Sequence, residues 1–385
     1  MLCVHKGYLI TPHLLQQLII ERIERAGPIT FADYMRMALY EPGCGYYVTG
    51  LARMGWEGDY YTNTDVSTLF ASCMGRQLLQ IWRKSGQPVR FIVLEQGAGR
   101  GDLAQGVRAW AVQETPAFNA ALDYRTEDMR TGQDAIVGSP EGCERSKQPA
   151  QPPVETQSTP SVILSNELVD AFPVHIVETR GGRLYELFVD AQQGRLCEVL
   201  AEPSTEAVAS YLDRYKIPWP RFGDGWRAEI NLDALCWIER VAHLIRRGFI
   251  LTIDYGDKAR NLYTRNRRRG TLACYSHHLL NDRPLARPGE QDITAHVNFS
   301  ALIDAGRQHG LRLNTFTTQR LWLENLGIYD ELERYRRAEF SEADTARSTD
   351  RGQVALLGWY NLRQRVAALT DPAGMGNFKV LILRR

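Results

Sequence analysis

The segment from Phe91 to Asp102 constrains the fold of this 385-residue chain more than any other. Four consecutive apolar residues, 91–94, predict a strand buried on both faces. An acid and three alternating glycines follow, in the pattern E-x-G-x-G-x-G over 95–101, and apolar residues at helical spacing over 103–110 come next. Glycines adopt the backbone angles of a tight turn and let a ligand approach the main chain closely. The segment therefore predicts a strand, a ligand-binding turn and a helix.

The register of these glycines bears on the cofactor. The dinucleotide fingerprint G-x-G-x-x-G, started at Gly97, would need its third glycine at position 102, where the chain has Asp102. A nicotinamide oxidoreductase is therefore disfavoured. The pattern favours a nucleoside-type cofactor without a pyrophosphate, and S-adenosylmethionine fits that description. We predict that Gly97, Gly99 and Gly101 bind this cofactor and that Glu95 meets a cation or a hydroxyl of it.

Two further apolar runs, 162–164 and 249–253, end in polar residues. Such runs are typical of parallel strands covered on both faces, and helical patterns lie between them. We therefore expect a doubly wound, Rossmann-like α/β sheet. Ligands bind at the carboxyl ends of the strands in such sheets. The glycine turn, Asn166-Glu167 and Asp254-Tyr255 are thus predicted to meet in one site.

The order of these patterns suggests a domain organisation. We expect an N-terminal helical and loop extension over 1–66 and a core over 67–385. Alternating segments separated by glycines predict an inserted β-meander and helical subdomain over 175–228. A polar loop on the substrate side is expected over 257–299. No secondary structure is predicted for the proline-rich residues 138–160.

Composition narrows the classes of partner. A formal net charge of +1 gives no global field for nucleic acid or an anionic membrane. We expect the arginines within 265–269 to form a solvated loop. Seven scattered cysteines without a C-x-x-C pair predict reduced thiols and no metal site. We find neither a secretory signal nor an apolar window of roughly 18 residues, so a cytoplasmic protein is expected. The sequence is compatible with a homodimer.

The chain resembles the MidA-like family of S-adenosylmethionine-dependent methyltransferases. Its mitochondrial members methylate an arginine of a respiratory complex I subunit during assembly. The most specific elements are N-E-x-x-D-A-x-P over 166–173 and G-E-Q-D-I-T-A-H-V over 289–297. The chain departs from the family's Leu-Gly-Pro-Gly by having Gln-Gly-Ala-Gly at 96–99. The segments that carry the resemblance are 29–35, 38–42, 45–47, 58–62, 95–101, 165–175, 253–256, 288–297 and 375–381.

The resemblance implies roles for further residues. Methyltransferases of this fold carry an acid after the second strand that binds the ribose hydroxyls, and Glu127 stands at the matching place. Asp59 and Tyr60, in a loop before the core, are candidates to close over the cofactor. The substrate side is expected to include the following residues: Asp254, Tyr255, Gln291, Asp292 and His296. A lone histidine such as His296 is more often a structural hydrogen-bonding group than a base.

Asn166, Glu167 and Asp170 are the candidate catalytic residues. Carboxylates that pair with a guanidinium bidentately would orient one nitrogen and stabilise the charge on the others. Glu167 and Asp170 are three apart, hence on one face of a helix if a helix starts there. The competing interpretation makes Asn166 a helix cap and the acids a decoration of the first turn.

The resulting hypothesis is a methyltransferase that acts on an arginine of a protein, in the mitochondrial matrix if the source is eukaryotic. A small-molecule O- or N-methyltransferase is the first alternative. The second is a non-catalytic assembly or binding protein that retains the fold.

Overall fold

The computed structural model describes residues 4–5, 8–9, 13–49, 68–128, 159–276, 279–343 and 350–385. The predicted cofactor residues Asp59 and Tyr60 lie outside these ranges, as does most of the proline-rich segment. The strands of the described residues are, in chain order, β1 (Val4–His5), β2 (Tyr8–Leu9), β3 (Ile29–Thr30), β4 (Phe91–Gln96), β5 (Leu122–Glu127), β6 (Val162–Asn166), β7 (His175–Arg180), β8 (Arg183–Gln192), β9 (Arg195–Ala201), β10 (Arg227–Ile230), β11 (Phe249–Asp254), β12 (Gly256–Asp257), β13 (Ala273–Ser276), β14 (Leu279–Asn281), β15 (Asp292–Thr294), β16 (Val297–Asn298), β17 (Arg312–Thr318) and β18 (Lys379–Arg384).

Helices connect and cover these strands. In the same parts of the chain they are α1 (His13–Ala26), α2 (Phe31–Tyr40), α3 (Thr68–Lys84), α4 (Asp102–Glu114), α5 (Pro116–Ala121), α6 (Glu206–Arg214), α7 (Leu232–Leu244), α8 (Ala259–Leu262), α9 (Phe299–Gln308), α10 (Gln319–Asn325), α11 (Ile328–Ala343) and α12 (Asp350–Thr370).

The central sheet has six strands in the order β17-β18-β11-β6-β4-β5. Strands β5, β4, β6 and β11 are parallel, as the apolar runs predicted, whereas β18 is antiparallel to both of its neighbours. The carboxyl ends of β4, β5, β6 and β11 therefore lie at one edge of the sheet. The glycine turn follows β4 at this edge, which confirms the predicted strand, turn and helix.

Both faces of the central sheet are covered. Phe91 and Val93 of β4 pack into one apolar cluster with α3 and α4, while Leu94 packs into a second cluster with α7 and α9. Burial on both faces explains why the strand is apolar at every position rather than at alternate ones. The fold is thus the expected α/β class with helices on both sides of the sheet.

A second, antiparallel sheet has the order β10-β7-β8-β3, with β9 also paired to β8. The three segments predicted as a meander are strands β7, β8 and β9. Helix α2 packs against this sheet and begins where the Thr30 hydroxyl accepts a hydrogen bond from the Asp33 amide at 3.1 Å. A smaller sheet, β14-β13-β15, lies within the predicted substrate-side loop.

The cysteines and the helix lengths bear on two expectations drawn from composition. Cys44, Cys73, Cys197 and Cys274 are free, whereas Cys236 is disulfide-bonded, so the prediction of reduced thiols fails at that position. Within the same ranges, the helices are too short or too polar to cross a bilayer.

The arginine-rich segment is held partly by backbone contacts. Arg267 donates to the carbonyl of Leu262 at 2.7 Å, and Arg268 donates to the carbonyl of Asp224 at 2.7 Å. Arg269 forms an exposed ion pair with Asp282 at 3.4 Å. These contacts favour the interpretation as a surface loop.

Candidate active site

The turn after β4 takes the left-handed backbone conformation at each of its glycines. The φ angles are 72° at Gly97, 56° at Gly99 and 78° at Gly101. A Cβ added at Gly97 would lie 2.9 Å from Leu168 Cδ1, while one added at Gly101 would meet nothing within 4 Å. The conformation explains all three glycines, and close packing against Leu168 explains Gly97 further.

The glycine turn is bonded to the end of β5. The amides of Gly97 and Ala98 donate to the carbonyl of Glu127 at 2.9 and 3.2 Å. The Gly99 amide donates to Asp128 Oδ2 at 2.8 Å. The Glu127 carboxylate accepts from Gln96 Nε2 at 3.0 Å. The predicted acid Glu127 therefore does stand at the end of the strand beside the turn, together with a second acid, Asp128.

Glu95 is almost fully buried at the carboxyl end of β4. The Tyr124 hydroxyl on β5 donates to Glu95 Oε2 at 3.0 Å. Burial raises the pKa of Glu95 to about 7, and the Tyr124 hydrogen bond opposes that shift. A carboxyl with this pKa changes charge near neutral pH, so its ionisation responds to a cation placed beside it.

The segment after β6 departs from the predicted helix. Glu167 has a φ of 51°, and only a short 3₁₀ turn follows, at Val169–Ala171. The prediction that Glu167 and Asp170 share a helical face is therefore wrong, and Asn166 is not a helix cap. Asn166 Nδ2 instead donates to Glu167 Oε1 at 3.2 Å. A non-glycine residue in this conformation is strained, which marks Glu167 as a position fixed by its surroundings.

That turn is fastened to β11 and to α7. The Glu167 amide donates to the carbonyl of Ile253 at 2.9 Å. Asp254 Oδ2 accepts from the amides of Val169 and Asp170 at 2.9 and 3.3 Å. Asn231, which caps α7, donates to the Val169 carbonyl at 3.2 Å. The structure therefore brings the two predicted acidic segments into direct contact.

Asp170 and Asp254 form a buried carboxyl pair. Burial raises the pKa of Asp170 to about 6. The pKa of Asp254 is raised well above its ordinary value by burial and by the negative charges of Asp170 and Glu167. Asp170 Oδ1 is buried without a hydrogen-bond partner among the described residues. A buried, unpartnered carboxylate oxygen is costly, so it indicates a place for a donor that comes from outside the chain.

Tyr255 lies beside this pair. Its hydroxyl donates to Asp170, and its pKa is raised well above the ordinary value by burial and by the two aspartates. Its ring packs edge-on against His296 at 5.3 Å between centroids. Burial and the charges of Arg267 and Lys379 lower the pKa of His296 to about 4, so this histidine is neutral at physiological pH. His296 thus supports the Tyr255 ring rather than serving as a base.

Gln291 and Asp292 make different contacts. The Gln291 side chain donates to the carbonyls of Arg283 and Pro284 and accepts from Asn281, so it fastens its own loop. Asp292 Oδ1 accepts from the Tyr47 hydroxyl at 2.6 Å, which ties the loop to the segment after α2. Of the predicted substrate-side residues, Asp254 and Tyr255 contact Asp170, whereas Gln291 turns its amide away into the loop.

Several residues at this edge carry no signal in the sequence. Trp237 Nε1 on α7 donates to Gln96 Oε1 at 2.9 Å, and Thr294 lies close to the Tyr255 hydroxyl. Asp128 is the exception, because an acid directly after Glu127 at a strand end could have been proposed from its position.

A comparison with protein families identifies the chain. The family model of S-adenosyl-L-methionine-dependent methyltransferases matches residues 73–317. The chain belongs to this family. The match begins in α3 and ends in β17, so it includes every strand whose carboxyl end forms the site.

Individual relatives agree with this assignment. The Drosophila melanogaster protein named "Protein arginine methyltransferase NDUFAF7 homolog, mitochondrial" is 28% identical over 94% of this chain and 83% of its own length. The human protein arginine methyltransferase NDUFAF7, mitochondrial, is 28% identical over 83% of this chain and 74% of its own. A Burkholderia thailandensis protein crystallised with S-adenosyl-homocysteine superposes with a TM-score of 0.77, at 29% identity and 97% and 92% coverage.

The methyltransferase uses S-adenosylmethionine, and the residues at this edge fit that cofactor. A glycine turn in left-handed conformation leaves the main chain open to close approach. Acids at the end of the adjacent strand suit ribose hydroxyls, and a buried carboxyl suits a cation. The predictions of family, fold class, cofactor and enzyme class are therefore confirmed.

Proposed function

We propose that this methyltransferase methylates an arginine side chain of a protein, at the edge formed by β4, β5, β6 and β11. The observation that carries the proposal is the buried carboxyl pair of Asp170 and Asp254, at the same sheet edge as the glycine loop. Leu168 links the carboxyl pair to the glycine turn, because it lies two residues before Asp170 and its side chain packs against Gly97. The names of the relatives, which are protein arginine methyltransferases, support the same acceptor.

The cofactor half of the proposed site consists of the glycine turn with Glu95 and Glu127. S-adenosylmethionine, when bound, supplies an electrophilic methyl group on a sulfonium. We assign the ribose hydroxyls to Glu127, with Asp128 holding the turn through the Gly99 amide. Glu95 is assigned to the cationic part of the cofactor, since its raised pKa leaves it ready to ionise there.

The acceptor half consists of Asn166, Glu167 and Asp170, with Asp254 and Tyr255 behind them. A guanidinium presents five donors in a planar fork, and carboxylates are its natural partners. The unpartnered Oδ1 of Asp170 can accept one of these donors. Pairing with Asp170 and Glu167 would fix the planar group and leave one nitrogen directed at the methyl, which is the in-line alignment the transfer requires.

The proton balance follows from the same residues. The arginine nitrogen gains a methyl group and loses one proton. The Asp170 carboxylate, in its ionised form, can take that proton. Tyr255 donates to Asp170 and orients it, while its own high pKa keeps its hydroxyl protonated. Asp254 accepts backbone amides and holds the turn in place.

Location and assembly are part of the proposal. The relatives carry the word mitochondrial in their names, and we propose the mitochondrial matrix for a eukaryotic source and the cytoplasm for a bacterial one. The homodimer stays a prediction.

The decisive experiment compares cells that lack the gene with cells that express either the normal protein or the Asp170→Asn variant. Mass spectrometry of proteins labelled with heavy methyl groups should find a methylarginine that needs the normal protein and is lost in the variant. The matched control, Glu202→Gln, changes an exposed acid and should restore the mark. A methylated small molecule in place of methylarginine would support the first alternative. S-adenosyl-homocysteine binding without any methylated product would support the non-catalytic alternative.

A further inference from the structure

Three metal-ligating side chains meet far from the cofactor site. Glu239 and His243 are one helical turn apart on α7, and His309 follows the last residue of α9. One ligand atom from each residue lies within 4.8 Å of the others. The two imidazole rings pack edge-on with centroids 5.6 Å apart.

We propose that Glu239, His243 and His309 form a zinc site that joins α7 to α9. Two imidazoles and a carboxylate are a donor set that Zn²⁺ takes in proteins, with a fourth position for water. Metal–ligand bonds of about 2.1 Å give neighbouring ligand atoms a spacing of about 3.4 Å in a tetrahedron. Small rotations of these side chains, none of which is buried, close the gap from 4.8 Å, and the exposed His243 gives the ion and its water access.

The local electrostatics leave these ligands available. Among the described residues, none of the three side chains forms a hydrogen bond or an ion pair. Two neighbouring cations are engaged elsewhere: Arg385 donates to the carbonyls of Ala242 and Ile245, and Arg307 pairs with Asp304. The carboxyl end of α9 adds the negative end of a helix dipole beside His309, which favours a cation.

The topology separates this site from the methyl-transfer edge. Helix α7 leads into the start of β11, so its carboxyl end lies at the amino edge of the parallel strands. The six residues of β11 put roughly 20 Å between the two edges. We therefore assign the zinc a stabilising role and not a part in the chemistry.

This proposal runs against the expectation that the chain has no metal site. That expectation depended on cysteine spacing, whereas these ligands are two histidines and a glutamate. Glu239 and His243 are four residues apart, but His309 is 66 residues further along the chain, and only the packing of α9 against α7 brings it to them.

The test uses the full chain after removal of metals with a chelator. Titration calorimetry with ZnCl₂ should show one site with a Kd below about 10 µM. His243→Gln, His309→Gln and Glu239→Gln should each weaken it at least tenfold. Glu206→Gln, an exposed helical acid elsewhere, is the matched control and should bind zinc normally. At a hundredfold excess of zinc over Kd, the Tm of the normal protein should rise by about 2–5 °C, and that of the His309→Gln variant should not.

A measurement on the unaltered protein covers the case in which a variant fails to fold. X-ray absorption of the zinc-loaded protein should show two imidazole nitrogens and a carboxylate oxygen in the first coordination sphere. Three results would overturn the proposal: no zinc binding at zinc concentrations up to about 100 µM, zinc binding that survives all three substitutions, or a different set of donor atoms around the zinc.

Discussion

The two halves of the proposed site are built from different materials. At the ends of β4 and β5, the main chain contributes most of the geometry through three glycines and the carbonyl of Glu127. At the ends of β6 and β11, buried side chains contribute most of it, and the carboxyls of Asp170 and Asp254 both have raised pKa values. The first half is therefore formed mainly by the main chain, and the second mainly by buried acidic side chains.

The difference teaches how each half can fail. A shaped backbone is sensitive to added atoms and to angles that only glycine adopts without strain. A buried charge cluster is sensitive to the loss of a charge, even where the substitution keeps the shape of the side chain. A substitution that adds atoms without changing charge should therefore impair the glycine turn most. A substitution that removes a charge without changing shape should impair the carboxyl pair most.

The largest effect is expected from Asp170→Asn. The change keeps the shape of the side chain and removes the charge that would pair with the acceptor and take its proton. We expect kcat to fall by about 10²–10⁴-fold, while the Kd of S-adenosyl-homocysteine changes less than about twofold. Single-turnover kinetics and calorimetry measure the two quantities.

The control for this change is Asp282→Asn, an exposed acid of the substrate-side segment. It should leave both quantities unchanged. The free energy of unfolding should stay within about 1 kcal/mol in Asp170→Asn, because the substitution removes a buried charge whose Oδ1 has no partner in the described part of the chain. A kcat that falls less than fivefold would separate the carboxyl pair from the reaction.

The next effect is expected from Gly97→Ala, compared with Gly101→Ala. Both substitutions place a side chain at a left-handed φ, with a cost of roughly 1–2 kcal/mol. Only the Cβ at position 97 meets another atom, Leu168 Cδ1 at 2.9 Å. We expect S-adenosyl-homocysteine to bind about 10–100-fold more weakly to Gly97→Ala and less than about fivefold more weakly to Gly101→Ala.

A second substitution sharpens that comparison. Leu168→Ala removes the atom that the new Cβ would meet, so the double variant Gly97→Ala/Leu168→Ala should recover part of the lost affinity. Equal losses at positions 97 and 101, with no recovery, would mean that backbone strain alone sets the effect.

The same contrast explains how much the sequence can predict. The glycine turn, the parallel strands and helix α7 follow from local patterns, because their residues select a backbone conformation directly. Glu127 could be placed for the same reason, since strand ends at one edge of a parallel sheet are neighbours. The family assignment needed motifs spread over the chain.

The acceptor half could be predicted only as a set of residues. The spacing of Glu167 and Asp170 suggested a helix, but tertiary contacts to Asp254 and Ile253 impose a left-handed residue and a 3₁₀ turn. The contact of Tyr255 with Asp170 and the neutral state of His296 depend on burial, which a single sequence does not give. The loop-fastening contacts of Gln291 are equally invisible in the spacing of the motif.

A smaller effect is expected from pH acting on Glu95. Its pKa of about 7 in the free protein means that ionisation is half complete at neutral pH. If the ionised carboxylate meets the cationic cofactor, affinity should rise about tenfold between pH 6 and 8 and then level off. Calorimetry with S-adenosylmethionine in normal protein and in Glu95→Gln measures this, and the variant should show a flat profile.

Stability should move in the opposite direction with pH. The pKa of Glu95 in the folded protein exceeds its ordinary value of 4.5, so the native state binds the extra proton between pH 4.5 and 7. The contribution of Glu95 to the free energy of unfolding therefore falls as the pH rises through this window, and Glu95→Gln should remove that dependence. The same pH dependence of affinity in normal and variant protein would assign the titration to another group.

The smallest effect is expected from His296→Gln, which tests the assignment of the acid limb of the reaction. With a pKa of about 4, His296 does not titrate between pH 5.5 and 9, whereas Asp170 titrates near 6. With S-adenosylmethionine saturating, so that Glu95 ionisation does not limit cofactor binding, kcat/KM for the acceptor should therefore fall below about pH 6 in both the normal protein and His296→Gln, with kcat within about threefold. Gln can still pack against Tyr255, so the orientation of that ring is largely kept. A variant that loses the acid limb would make His296 the titrating group and would move the proton acceptor from the carboxyl pair to the loop beside it.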